Sequence, residues 1–125
     1  MTQAFTITGK LPGMNEYTAS QRNNRYGGAS MKKTAQKAVE ADIRRSGIKA
    51  VTCPARLLYA FYEPNRRRDL DNISGFAHKV IQDALVATGI LAGDGWKHIT
   101  GYTDVFAVDA KRPRIEVTII EGESK

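Results

Sequence analysis

"ARLLYAFYEPNRRRDLDNISGFAHKVIQDAL", residues 55–85, changes its hydrophobic period half-way along, and the fold turns on that change. Residues 55 to 64 are apolar on both alternating faces, the pattern of a central strand covered on both sides. Further on, Ile73, Phe76, Ala77, Val80, Ile81, Ala84 and Leu85 recur at i, i+3, i+4 spacing, which is the single apolar stripe of a helix, and Gly89 ends it. Between the two periods Arg66, Arg67 and Arg68 stand directly before Asp69 and Asp71. A central strand is thus expected to run through a charged turn into a long helix.

Working outward, "AFTITGKLP" (4–12) alternates Phe5 and Ile7 with threonines and predicts a short first strand. Residues 13–30 are polar and turn-rich and predict a long loop, whose Arg22, Arg25, Tyr17 and Tyr26 suit a phosphate-holding segment. Ser30 fits the N-cap of a helix running to Arg45, with Met31, Ala35, Ala38 and Val39 on one face and Gly47 beyond its end. After the long helix, "GILAGDGW" (89–96) leads to a strand from about His98 to Val108. In "RIEVTII" (114–120), Ile115, Val117 and Ile119 alternate as a last strand. The expected fold is α+β: a single domain over residues 1–125, with a mixed sheet of about four strands and two helices in the order strand, helix, strand, helix, strand, strand. No internal repeat or low-complexity linker interrupts it.

The chain has 125 residues, enough for one core and too few for two ordinary domains. No run of eighteen apolar residues occurs, and the N-terminus lacks a signal-peptide pattern, so a cytoplasmic protein without membrane contact is expected. A single cysteine, Cys53, leaves no internal disulfide and no cysteine metal cluster, and reads as inert; with only two histidines a zinc site is not expected either. The net charge of +6 favours an acidic partner such as nucleic acid. Residues 1–50 hold nine Lys/Arg against three Asp/Glu, whereas residues 51–125 hold ten of each, so the basic excess lies in the first half. Lys32, Lys33, Lys37, Arg44 and Arg45 then form either a solvated helix face or a surface for phosphates.

In extended backbone Asp69 and Asp71 would point to one side, about 7 Å apart. Such a pair suits Mg²⁺, which is commonly held by one or two carboxylates with waters and substrate phosphates. The neighbouring arginines suit the phosphates themselves. The same residues also have a purely structural reading: Asp71 or Asn72 as the N-cap, and the arginines in surface ion pairs worth little. An EF-hand is excluded, because Ile73 occupies a ligand position and Val80 stands where a glutamate is required. Asp94, between Gly93 and Gly95, is the candidate third acid and equally fits a turn. Lys79 lies eight residues beyond Asp71, about 12 Å along the helix axis, as a phosphate contact or a solvated lysine. Trp96, Phe106 and the tyrosines read as core or partner-facing residues.

"NRRRDLDN" (65–72), followed by "KVIQDAL" (79–85) and "GILAGD" (89–94), resembles the RusA family of Holliday junction resolvases. The likeness extends over most of the chain, from the first strand and its "LPG" turn to "RIEVTI" (114–119). It implies a small homodimeric endonuclease that binds four-way junction DNA and cuts two opposing strands symmetrically, using Mg²⁺ or Mn²⁺. By that resemblance Asp69, Asp71 and Asp94 hold the metal. Lys79 matches the essential lysine when counted back from Asp-Ala-Leu at 83–85, whereas a forward count falls on Gly75, one helical turn earlier. Arg66, Arg67 and Arg68, with Lys32, Lys33 and Arg25, would grip the DNA backbone. Two alternatives stand beside it: a junction-binding protein without catalysis, and a metal-dependent nucleotide phosphohydrolase. Against the second, the chain has no "GxxxxGK" phosphate loop.

Overall fold

A computed structural model describes residues 2–23, 26–52 and 54–122. Its elements are β1 (Thr2–Thr8), α1 (Met14–Asn23), α2 (Gly27–Ser46), β2 (Ala55–Glu63), α3 (Leu70–Ala87), β3 (Ile99–Val108) and β4 (Arg114–Glu121). The fold is α+β with one four-stranded mixed sheet, ordered β1-β4-β2-β3. β4 runs antiparallel to both β1 and β2, and β2 pairs in parallel with β3. Parallel neighbours cannot be joined by a hairpin, and α3 supplies the crossover between them.

Alternation decides which face of the sheet is covered. Phe5, Ile7, Leu57, Tyr59, Phe61, Val117 and Ile119 point to one side, where they meet Val39 and Ile43 of α2 and the apolar stripe of α3 in a single core. On the other side Arg56 is exposed, and Leu58, Ala60 and Tyr62 are only half-buried. β2 is therefore central but covered on one face, not on both as its composition suggested. On this open side the Arg114 guanidinium of β4 covers the Tyr62 ring, 3.9 Å from its centroid.

The expected loop over residues 13–30 is instead largely helical. α1 buries no residue completely and has no apolar stripe, so its pattern is silent in the sequence. It is held by its ends and its neighbours. Glu16 Oε1 accepts the Gly13 N–H at 3.1 Å, half of a capping box, and the Asn72 side chain accepts the Asn15 N–H at 2.7 Å. Asn72 thus caps α1, not its own helix. Gly13 is required beneath it, because a Cβ there would lie 2.6 Å from Asn72 Oδ1. Tyr17 of α1 packs on Phe76 with ring centroids 4.6 Å apart. α2 begins at Gly27, three residues before the expected Ser30 cap: the Ser30 N–H already donates to the Tyr26 carbonyl at 3.0 Å, inside the first turn. Its end matches expectation, with Gly47 left-handed at φ 74°. Cys53 lies outside the described residues.

Candidate functional site

The charged turn between β2 and α3 splits its three arginines. Arg68 turns inward: its Nε and Nη2 donate to the two Glu63 carboxylate oxygens at 3.0 and 2.8 Å, and its Nη1 donates to the Leu11 carbonyl at 3.0 Å. Glu63 is buried, so this bidentate fork ties the end of β2 and the segment after β1 to the start of α3. Arg68 is consequently a structural residue rather than a free phosphate ligand. Arg66 and Arg67 are exposed and face outward.

The two aspartates do not share an extended strand. Asp69 is the N-cap of α3, with φ −68° and ψ 155° and no side-chain cap bond, while Asp71 already lies in the first helical turn. Neither Asp71 nor Asn72 is the cap, as had been expected of one of them. Both carboxylates are exposed, and neither makes an ion pair among the described residues. Asp69 lines an open groove of about 700 Å³ between the start of α3 and β3, together with Arg66, Leu70, Asp104 and Phe106.

Lys79 and Asp94 belong to a second hollow, of about 630 Å³, two turns further along α3. Lys32, His78, Asp83 and Tyr102 also line it. Lys32 is committed to an ion pair with Asp83, whereas Lys33 on the same helix is exposed. The family resemblance groups Asp94 with Asp69 and Asp71; in the fold it lines the same hollow as Lys79. Among the described residues no three His, Cys, Asp or Glu side chains come together as a metal-holding group. Asp69 and Asp71, as hard oxygen donors open to solvent, still fit a cation that completes its shell with water and phosphate. Gly75 sits against α1, where a Cβ would approach Met14 Cε to 3.1 Å, so a longer side chain there requires Met14 to shift. Lys79, one turn on, is exposed. Arg25 lies outside the described residues.

A cluster that sequence reasoning passed over separates the two hollows. His78 Nε2 lies 2.8 Å from Asp104 Oδ1, both mostly buried, and the imidazole packs against both Tyr59 and Tyr102 with centroids 4.8 and 4.5 Å away. Gln82 donates to the Tyr59 hydroxyl at 3.0 Å. Burial pushes the Tyr59 phenol well above its usual pKa, the Gln82 hydrogen bond opposes this, and Asp104 and Tyr102 add to it, so the ring stays neutral. The one available signal was Asp104 itself: β3 places it opposite Tyr59, on the covered face, where a carboxylate needs a partner. Phe106 joins the core by stacking on Phe61 at 5.2 Å, but Trp96 is 97% exposed.

No protein-family profile matches the chain, and no curated protein matches it in sequence at a significant level. Among the described residues no helix is long and apolar enough to cross a membrane.

Proposed function

We propose that this protein is a metal-dependent endonuclease of branched DNA, acting in the cytoplasm as a homodimer that cuts four-way junctions in opposing strands. The observation that carries the reading is the start of α3, where the exposed Arg66 and Asp69 line an open groove and the exposed Arg67 and Asp71 stand beside them in the chain. A phosphodiester-cutting site needs both signs of charge in one place, and the likeness to the RusA family rests on the same residues.

Asp69 and Asp71 would hold Mg²⁺ or Mn²⁺, which when bound polarises the scissile phosphate and lowers the pKa of the attacking water. Arg66 and Arg67 offset phosphate charge on one flank, and Lys33 extends the basic surface on α2. Lys79, about 12 Å from Asp71 along the helix, meets a phosphate displaced from the scissile one. Asp94 accompanies Lys79 in this assignment, because that is the hollow it lines. Two copies related by a two-fold axis would present equivalent sites to the equivalent strands of a junction.

Asp71→Asn is expected to abolish cleavage of a synthetic four-way junction in Mg²⁺ while leaving junction binding largely intact; retained cutting would sink the catalytic assignment. Asp94→Asn is expected to reduce cleavage less than Asp71→Asn, and an equal loss would return Asp94 to the metal-holding set. The separation of the acids favours one rival, a branched-DNA-binding protein without catalysis. The wild-type protein decides between them: no cleavage of any branched substrate in Mg²⁺ or Mn²⁺, with binding preserved, would establish the rival.

A further inference from the structure

The side chain at position 96 runs against the usual distribution of tryptophan, which is mostly buried in folded proteins. Trp96 is 97% exposed, the most exposed large apolar side chain among the described residues. The backbone that carries it is nonetheless held. The His98 and Ile99 N–H groups both donate to the Gly95 carbonyl at 3.0 Å, and the His98 ring lies so close to Gly93 that a Cβ there would stand 2.8 Å from it. The indole is therefore displayed on a hydrogen-bonded turn.

Its surroundings indicate what the turn is displayed to. Asp94, two residues earlier and so within about 7 Å at Cα, lines the hollow that also holds Lys79, His78 and the half-exposed Tyr102. Lys97 follows immediately and is exposed. Apart from Tyr102, the other exposed large apolar side chains among the described residues, Tyr26, Leu70, Val105 and Val108, do not line this hollow, so no continuous apolar rim accompanies the indole as a protein contact would require. An aromatic face beside ammonium groups matches a nucleobase attached to its phosphate. In uninterrupted duplex both faces of each base are occupied by stacking, whereas a branch point leaves faces open.

We propose that Trp96 stacks on an unstacked nucleobase at a DNA branch point, making the 92–98 turn the element that distinguishes branched from continuous duplex DNA. This rests on the DNA-binding part of the function proposed above and deepens it.

Trp96 is the only tryptophan in the chain, so intrinsic fluorescence reports on it alone. The protein is titrated, in Ca²⁺ to prevent cutting, with a four-way junction, a duplex of the same sequence and a single-stranded oligonucleotide. Quenching by junction and single strand, and much less by duplex, is expected. Trp96→Ala should weaken junction binding by about 5- to 150-fold, the range for loss of one stacked base, with Trp96→Phe retaining most of the affinity and duplex binding little changed. Because the side chain is solvent-exposed, both variants should melt as the wild type does. Junction binding with unchanged emission, or Trp96→Ala binding like the wild type, overturns the proposal. A blue shift driven by protein concentration alone, with Trp96→Ala sedimenting as a smaller species, would assign the indole to contact between copies and likewise overturn it. Selective quenching, with no cleavage once Mg²⁺ or Mn²⁺ replaces Ca²⁺, would remove the nuclease reading and leave this inference standing. Cleavage with no contribution from Trp96 would do the reverse, and failure to bind any DNA would remove both.

Discussion

Arg68 and Arg67 are adjacent in sequence and opposite in role because one lies over a buried carboxylate and the other over water. Removing one partner of a buried, forked ion pair leaves the other charged and unsatisfied, a loss of about 3–5 kcal/mol. Arg68→Ala is accordingly expected to lose stability on that scale in urea unfolding, with Glu63→Ala similar. Arg66→Ala and Arg67→Ala should stay within about 0.5 kcal/mol of the wild type and instead weaken DNA binding, each lowering the salt slope by about 1. Tyr59 makes a second prediction at this scale. Its pKa is raised on folding, so the stability it contributes is complete below the unfolded phenol value of about 10 and is lost as pH rises above it. Alkaline unfolding monitored by tyrosinate absorbance should show Tyr59 ionising only with the global transition, and Tyr59→Phe should shift that transition to higher pH. Neither behaviour was legible locally: three consecutive arginines look alike until the neighbours on β2 and the β1–α1 segment are in place.

At the scale of elements, α3 is the axis of the molecule and α1 its dependent. The stripe from Ile73 to Leu85 buries every one of its members, which is why this helix could be read from spacing alone. α1 has no stripe of its own and relies on Asn72, Gly75 and Phe76 of α3. Gly75→Lys should press Met14 and its helix away, costing about 1–3 kcal/mol by overpacking. Hydrogen exchange should then show amides of 14–23 losing protection while those of 76–87 keep it. Nuclease activity should fall or stay level, not rise, since the forward-counted lysine position faces α1. Asn72→Ala should loosen the same helix by about 1 kcal/mol through loss of its cap. The β2–α3–β3 crossover also explains why Asp69 and Asp94 line different hollows: Asp69 caps the start of α3, whereas the segment after α3 folds back and sets Asp94 beside His78 and Lys79 in the middle of the helix.

At the scale of the whole molecule, about half of the basic excess of the first half falls on α2, where Lys33 and Lys37 are exposed and Lys32 is spent on Asp83. If this face follows the DNA backbone, a Lys33→Gln, Lys37→Gln double variant should reduce the slope of log affinity against log salt by about 1.8, with no change in cleavage position; an unchanged slope would place the DNA elsewhere. The α+β class, the four strands, the long helix and the glycine ends of both longer helices were determined by the sequence itself, because periodicity and chain reversal are local properties of backbone geometry and solvent exposure. So was the candidate strip from Arg66 to Asp71. The tertiary structure alone decided that Arg68 is structural, that α1 is a helix, that His78 meets Asp104 across 26 positions, and that Asp94 sits with Lys79. Each of those depends on which groups are brought together when α3 packs across the sheet, and spacing along a chain carries no record of distances across it.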